Sequence, residues 1–395
     1  MTSTERRREA RYQRRKARRI QKRDERCKQF DSFDRLLDAN NTYSAYRKCS
    51  KGARYKEAQH NYRVNLLKEL NAQKKNYQTG QHLSDGFKEF TLTERGKKRN
   101  IRAVSFRERV SKRTLNDEVL VHVLERNLIY DNGASIKGKG THWCLKRVEA
   151  HLHRFYRQNG YSNEGAIAVL DLKGYYDHIL HKPLLDIFRK EIHDPNILRI
   201  AQFYIEAFGD GVSVGIGSQI SQLSGVRYPS HIDHLIKEVM RYKQYIRYND
   251  DSYFIGNNKA DLHANMAVVD TEYAKIGIEL NKKKTQVVAL RKGFKFLKTF
   301  FILTDTGKVI KKPMRDAVTR ERRKLKKLFK KYALGEVSFE TIKQNFESWK
   351  SHIAHKDAYR TISTMQNYFN KLHTEAIISW SNKPTPTNLR KKKTA

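Results

Sequence analysis

Cysteine, acidic residues and long apolar runs are all scarce in this 395-residue chain. The three cysteines, Cys27, Cys49 and Cys144, lie far apart with no Cys-x-x-Cys pair, which argues against a disulfide framework or a structural zinc site. None of the fifteen histidines falls in a ligand spacing with a cysteine. No apolar run reaches the length of a transmembrane helix, no signal-peptide core is present, and no segment has the broad apolar face of an amphipathic anchor. A cytoplasmic protein without a membrane partner is expected. Acidic residues number 42 against 81 Lys and Arg, for a formal net charge of +39. That excess concerns partners and not fold, and nucleic acid is the polyanion it suits.

The length allows a sizeable core and two or three subdomains. Residues 1–30 carry 13 Lys/Arg against 4 Asp/Glu, and residues 5–28 read as a basic helix with too little apolar content to build a core. They form either a disordered tail or an arm that orders on RNA. From Phe30 to Leu70, apolar residues at three- and four-residue steps (Phe33, Leu36, Leu37, Tyr62, Leu66, Leu67, Leu70) predict helices. Strands are expected at Phe87–Leu92 and Asn100–Ser105 around a turn at Gly96–Arg99, with helices at Glu108–Leu128 and Thr141–Asn159. Ala166–Leu172 reads as a buried strand. Helices follow from Pro183, over Ile220–Met240 and over Ala260–Ile276. Strands are expected at Gln244–Arg247, Ser252–Ile255, Ile278–Leu280, Gln286–Leu290 and Phe294–Ile302. Residues 308–331 hold 12 Lys/Arg against 2 Asp/Glu and read as a basic amphipathic helix. Two more helices follow, one capped at Ser338 with Phe339, Ile342, Phe346 and Trp349 on one stripe, the other with Ile362, Met365, Phe369 and Leu372. That aromatic stripe reads as core. Asn382–Ala395 reads as a flexible basic tail.

The chemistry concentrates at Tyr248-Asn249-Asp250-Asp251, between two strand-like runs. Adjacent carboxylates at a hairpin tip repel each other unless a cation binds them, and a divalent metal with a third carboxylate is the usual answer. A solvated turn gives the same residues. Asp171, at the end of the buried Ala166–Leu172 run, is the candidate third carboxylate. Tyr176 lies five residues on, placed either to block a ribose 2′-hydroxyl or simply to pack.

Together these segments resemble motifs A and C of reverse transcriptases. Further blocks of that family follow the same order: GKKRNIRAVSFRER at 96–109 resembles the fingers motif, SIKGKGT at 135–141 the template-binding block, GIELNKKKT at 277–285 motif D, and GFKFLK at 293–298 the primer grip of motif E. The resemblance spans about residues 33 to 372. It implies an α+β right-hand polymerase fold: a basic N-terminal arm at 1–30, fingers with the start of the palm at 31–160, a palm with an antiparallel sheet at 161–305, a helical thumb at 306–380 and a flexible tail at 381–395. It also implies two Mg²⁺ ions, ~4 Å apart, held by Asp171, Asp250, Asp251 and the Leu172 carbonyl. Arg99, Lys98 and Arg102 would neutralise the triphosphate, with Tyr176, Ile216, Gly217 and Lys284 also around the nucleotide. Lys284 is either a proton donor to pyrophosphate or a solvated lysine, and Asp177 is structural. Nucleic acid would be held by Arg107, Arg109, Lys137, Lys139, Gly140, Ser221, Gln222, Phe296, Leu297, Lys298, Arg323 and Lys327.

Motif B departs from the common Gln-Gly-x-x-x-Ser-Pro form. This chain reads Ile216-Gly217-Ser218-Gln219-Ile220-Ser221-Gln222, which resembles the reverse transcriptases of diversity-generating retroelements. A branched apolar side chain cannot hydrogen-bond the nucleotide, so selectivity falls, unless Ile216 only packs. The implied partners are a structured template RNA, the primer and cDNA product, dNTPs and a small basic accessory protein. Two other readings stand beside this one. One is a non-mobile, phage-defence reverse transcriptase with its own noncoding RNA, kept open by Asn249. The other is a catalytically silent RNA-binding homologue. All of them require extensive phosphate contacts, so RNA affinity is expected to fall steeply with salt, by orders of magnitude between about 50 and 200 mM. Anisotropy titrations across that range would check this, and a flat response would contradict the reading of the charge.

Overall fold

The computed structural model describes residues 2–94, 97–209, 211–215 and 217–381. The chain divides into two compact units, one of Met1–Cys144, Ala168–Phe254 and Ala260–Gln286, the other of Leu145–Ile167, Ile255–Lys259 and Val287–Ala395. Among the described residues no helix is long and apolar enough to cross a membrane.

The first unit opens with the helix Ser3–Phe30, whose described side chains up to Gln29 are exposed, as its basic composition requires. Its last residue is fixed, because the Phe30 ring stacks on His122 at 3.7 Å and Arg35 lies 4.6 Å over it. Helices Asp34–Leu37, Ala39–Ser50, Glu57–Val64 and Leu66–Thr79 follow. Leu36 and Tyr62 are buried as their spacing predicts, but Leu67 is 77% exposed. The reason is local: Asn65 adopts φ −101° and ψ 26°, so the helix restarts and its apolar face is reset.

Strands β1 (Phe87–Glu94) and β2 (Lys97–Val104) form an antiparallel hairpin in register from Phe87↔Val104 to Glu94↔Lys97. The expected turn is therefore shorter, with Lys97, Lys98 and Arg99 in the strand; Arg95 and Gly96 lie outside the described residues. Ser105 then caps the helix Phe106–Leu115 by accepting the Glu108 N–H at 3.0 Å. The Glu108 carboxylate turns inward, 2.7 Å from the Lys112 ammonium, with both side chains at most 1% exposed. Lys112 also lies 5.7, 5.0 and 4.6 Å from the rings of Phe87, Tyr204 and Phe208. Burial pulls the lysine's pKa down and Glu108 opposes that.

Strand β3 (Ala166–Asp171) is buried along its whole length, which explains its continuous apolar run. With β4 (Tyr245–Tyr248), β5 (Asp251–Gly256) and β6 (Gln286–Ala289) it forms a sheet of order β4-β5-β3-β6. Arg247, in the middle of β4, is fully buried, and so is its partner Asp233 on the helix Ser230–His234. The guanidinium donates to the two Asp233 oxygens at 2.8 and 2.7 Å and to the Val226 carbonyl at 2.6 Å, while Tyr245 Oη donates to Asp233 at 2.5 Å. Burial opposes the charge on Arg247, but Asp233 outweighs it and raises the guanidinium pKa. The backbone of Arg247 also bonds Asp131 O and Gly133 N, a short parallel bridge beyond β4.

In the second unit, β7 (Phe294–Phe296), β8 (Thr299–Leu303) and β9 (Val309–Pro313) form a three-stranded sheet of antiparallel neighbours. Strand β9 corrects the expectation of a helix from residue 308. Pro313 holds the residue before it extended, and Lys311 N donates to Asp357 at 2.7 Å, so the helix starts at Arg315. Helices Arg315–Ala333, Phe339–Ile353 and Tyr359–Ser381 bury Leu325, Phe329, Ile342, Phe346, Met365 and Phe369 together. Ser338 caps the second of them, and the stripe is core, with Phe346 stacked on Phe369 at 4.6 Å. The expected tail from Asn382 lies outside the described residues.

Removing one member of a buried ion pair leaves the other charge stranded, at a cost of about 3–5 kcal/mol. Arg247→Ala and Asp233→Ala should each destabilise the chain by that amount in urea unfolding. The pair Arg247→Met with Asp233→Leu should cost clearly less than the sum of the single losses, and additivity would mean that the two charges do not compensate each other.

Candidate active site

The end of β3 and the β4–β5 hairpin meet through the backbone. Leu172 N donates to Asp250 O at 3.1 Å, which sets the hairpin tip beside Asp171. Tyr248 pairs with Asp251, so the loop is only Asn249 and Asp250, and Asp251 is the first residue of β5. Asn249 has φ +54°, a left-handed conformation that asparagine tolerates better than most residues. Its presence in the Tyr-x-Asp-Asp pattern thus has a backbone reason.

On its other side Asp171 meets the segment Glu279–Thr285. Asn281 N donates to Asp171 O at 2.7 Å, and Asn281 Nδ2 donates to Asp171 Oδ1 at 2.9 Å. Lys284 Nζ reaches both carboxylate oxygens at 2.8 and 2.6 Å. Lys284 is therefore ion-paired and not simply solvated. Partial burial works against its charge, but the hydrogen bond and charge of Asp171, followed by Asp251 and Asp250, raise its pKa.

These oxygen donors suit a hard divalent cation. Among the described residues, however, no three His, Cys, Asp or Glu side chains are gathered as a metal-holding group. Both oxygens of Asp171 are bonded to the Lys284 ammonium.

Tyr176 lies in a 3-10 turn, Tyr175–Asp177, after Gly174 in a left-handed conformation at φ +52°. Its ring packs on Gly225 of the helix Gln219–Arg227, where an added Cβ would lie 2.8 Å from Cε1. Tyr175 Oη donates to the Gly225 carbonyl. Burial, then the charge of Asp250, pushes the Tyr176 phenol up to about 12. The Ser221 hydroxyl is buried and donates to Val214 O at 2.5 Å, tying the preceding loop to the helix that Ser218 caps. It is a structural group here, while Gln222 is exposed. Gly217 has φ +116°, and Ile216 lies outside the described residues.

Several expected basic contacts are already engaged. Arg102 pairs with Glu89 at 2.9 Å and donates to the Phe208 carbonyl. Arg107 is bidentate to Glu69 at 2.6 and 2.7 Å. Lys139 donates to the Tyr130 and Asn132 carbonyls and lies 4.7 Å over Trp143, fixing the loop before Gly140. Arg109 is half-buried, Lys98 and Lys137 are exposed, and the side chain of Arg99 is outside the described residues. A cavity of ≈ 610 Å³ opens between the β1–β2 hairpin and the loop before residue 216, lined by Thr91, Asn100, Arg102, Asp177, Val212 and Gly215 among others. In the second unit, Leu297 and Lys298 form the β7–β8 turn with φ +44° and +59°, Phe296 is buried, and Arg323 and Lys327 are exposed.

Asp233, Arg247, Asn281 and Gly225 escaped the sequence reading. Asp233 and Arg247 had a signal, since each is an isolated charge at a position where the apolar pattern points inward. Asn281 and Gly225 had none.

The family model for reverse transcriptase (RNA-dependent DNA polymerase) matches residues 73–299, more than half of the chain. Among curated proteins none matches. Solved structures similar to the chain include telomerase from Candida albicans in complex with a fragment of telomeric RNA, at 13% identity and TM-score 0.46 over 75% of this chain and 60% of that one. Another is apo telomerase from Candida tropicalis, at 14% identity and TM-score 0.44 over 75% of this chain and 62% of that one. The chain thus spans less than two thirds of either neighbour. On the family match, this chain belongs to the reverse transcriptases, with their α+β right-hand polymerase fold.

Proposed function

We propose that this chain copies a dedicated structured RNA into cDNA, with errors concentrated opposite template adenines, in the manner of a diversity-generating retroelement. The observation that carries the catalytic part is the seating of the Asp250–Asp251 hairpin beside Asp171, through Leu172 N and Asp250 O at 3.1 Å. Asp171, Asp250 and Asp251, with the Leu172 carbonyl, would hold two Mg²⁺ ions, which when bound activate a primer 3′-hydroxyl and neutralise the leaving pyrophosphate. Asn281 keeps the Asp171 carboxylate in one orientation. Lys284 neutralises that carboxylate in the resting enzyme, and its Nζ–H is the proton source for the departing pyrophosphate. The Tyr176 ring, backed by Gly225, excludes a 2′-hydroxyl and selects deoxynucleotides. Lys98, Arg99 and Arg102 neutralise the triphosphate.

The error-prone part rests on Ile216-Gly217-Ser218-Gln219-Ile220-Ser221-Gln222. Ile216 offers no hydrogen bond to sugar or base, so the difference in affinity between right and wrong nucleotides shrinks. The helix Ser3–Phe30, Lys137, Arg323 and Lys327 present positive charge to the RNA and to the primer–cDNA duplex. A small basic accessory protein completes the particle.

Two variants test this reading. Asp250→Asn should lower DNA synthesis on a primed RNA at least about 100-fold while RNA affinity in a filter assay stays unchanged; undiminished synthesis would sink the site assignment. Ile216→Gln should reduce misincorporation opposite adenine, read by deep sequencing of cDNA made on co-purified RNA. An unchanged error spectrum, or accurate copying of one fixed noncoding RNA by the unaltered enzyme, would instead favour a defence role.

A further inference from the structure

A basic cavity of ≈ 510 Å³ lies in the first unit, between the helices Ala39–Ser50 and Glu57–Val64 and the loop joining them. It shares no lining residue with the catalytic carboxylates, and it precedes the segment that matches the family model. Its rim carries Arg47, Lys51, Arg54 and Arg63, all exposed and without an ion-pair partner among the described residues. A fifth cation, Lys48, is held by Asp117 at 2.8 Å. No carboxylate lines the cavity. Four like charges so close repel one another unless a polyanion or its counterions lie between them.

The floor is built and not incidental. Gln59 is buried and donates to Tyr46 Oη at 3.2 Å and to Ser50 Oγ at 3.4 Å, and Ser50 Oγ donates to Tyr46 O at 2.9 Å. Beneath it, Tyr46, Tyr62 and Phe106 pack ring on ring. Two tyrosines reach solvent beside this packing, one of them, Tyr43, with its ring 6.0 Å from that of Tyr46. Tyr43, on the rim, is 42% exposed, and Tyr55, in the connecting loop, is 83% exposed. Gly52 bends that loop with φ +73°. Unpaired cations beside exposed aromatic rings are the combination that holds single-stranded nucleic acid, with phosphates on the charges and bases on the rings.

We propose that this cavity binds an unpaired segment of RNA, away from the polymerase centre, and so anchors the structured RNA that the enzyme copies. The proposal rests on the reading of the chain as a reverse transcriptase with a dedicated RNA, but the site is defined by its own residues. An acidic protein segment would satisfy the charges and leave the tyrosines without a role.

The test uses the full chain and a labelled U20 oligonucleotide, with no dNTPs, in anisotropy titrations between 50 and 300 mM KCl (conditions of roughly the range in which phosphate contacts dominate). The variant Arg47→Gln/Lys51→Gln/Arg54→Gln/Arg63→Gln should bind about 10-fold or more weakly, with a salt slope shallower by about 2 to 3, at ~0.7 per lost phosphate contact. The matching Arg-to-Lys variant should restore most of both. Tyr43 or Tyr55 should crosslink to 4-thiouridine. Unchanged affinity and slope in a variant with unchanged circular dichroism would overturn the proposal, as would equal competition by poly-glutamate of matched charge. Failure of the unaltered enzyme to make DNA would count against the polymerase reading alone, because this assay reads binding only.

Discussion

The Asp233–Arg247 ion pair is the constraint on which the candidate site depends. A hairpin that carries two carboxylates at its tip has every electrostatic reason to swing into water. Here β4 is held instead from inside, by a guanidinium with no exposed surface bonded to a helix carboxylate, to the Val226 carbonyl and, through Asp233, to Tyr245. Such a pair contributes little net stability over an apolar equivalent, but it has direction, which a leucine would not. It sets the height and the angle of β4 against the helices Gln219–Arg227 and Ser230–His234 at once. The first of those helices also backs Tyr176 through Gly225, so the hairpin and that ring share one reference point.

Much of the fold could be read from the residues, because the physical signals were local. The uninterrupted apolar run of β3, the strand-like runs on either side of Tyr248–Asp251 and the spacing of Leu325, Phe329, Ile342 and Phe346 each report burial on one face or two. Where the reading failed, the deciding contact lay far along the chain. Strand β9 was hidden in a basic run because its partners are β8 and Asp357. Leu67 was misplaced because one residue, Asn65, resets the helix. The carboxylates were legible as an arrangement, since clustered acids in a chain of +39 need a reason. Lys284 was legible as a site residue, but its bond to Asp171, like that of Asn281, was not, because both reach Asp171 only through tertiary folding.

The same limit applies to the basic residues. Lys and Arg read alike in sequence whether they face a phosphate or a neighbouring carboxylate. Arg107, Lys139 and Arg102 are held by groups of this chain, while Arg47, Lys51, Arg54 and Arg63, in a stretch with no catalytic motif, are not. Positive charge available to a polyanion is what remains after internal pairing, and only the structure performs that subtraction.

The contact between Tyr176 and Gly225 ties two positions 49 residues apart in the chain. The glycine is required because a ring already fills the space its side chain would need. A relative with a smaller residue in place of the tyrosine would be released from that requirement and could carry alanine or serine in its helix. The two sites are therefore expected to drift as a couple: the freedom to vary at one is set by the bulk at the other.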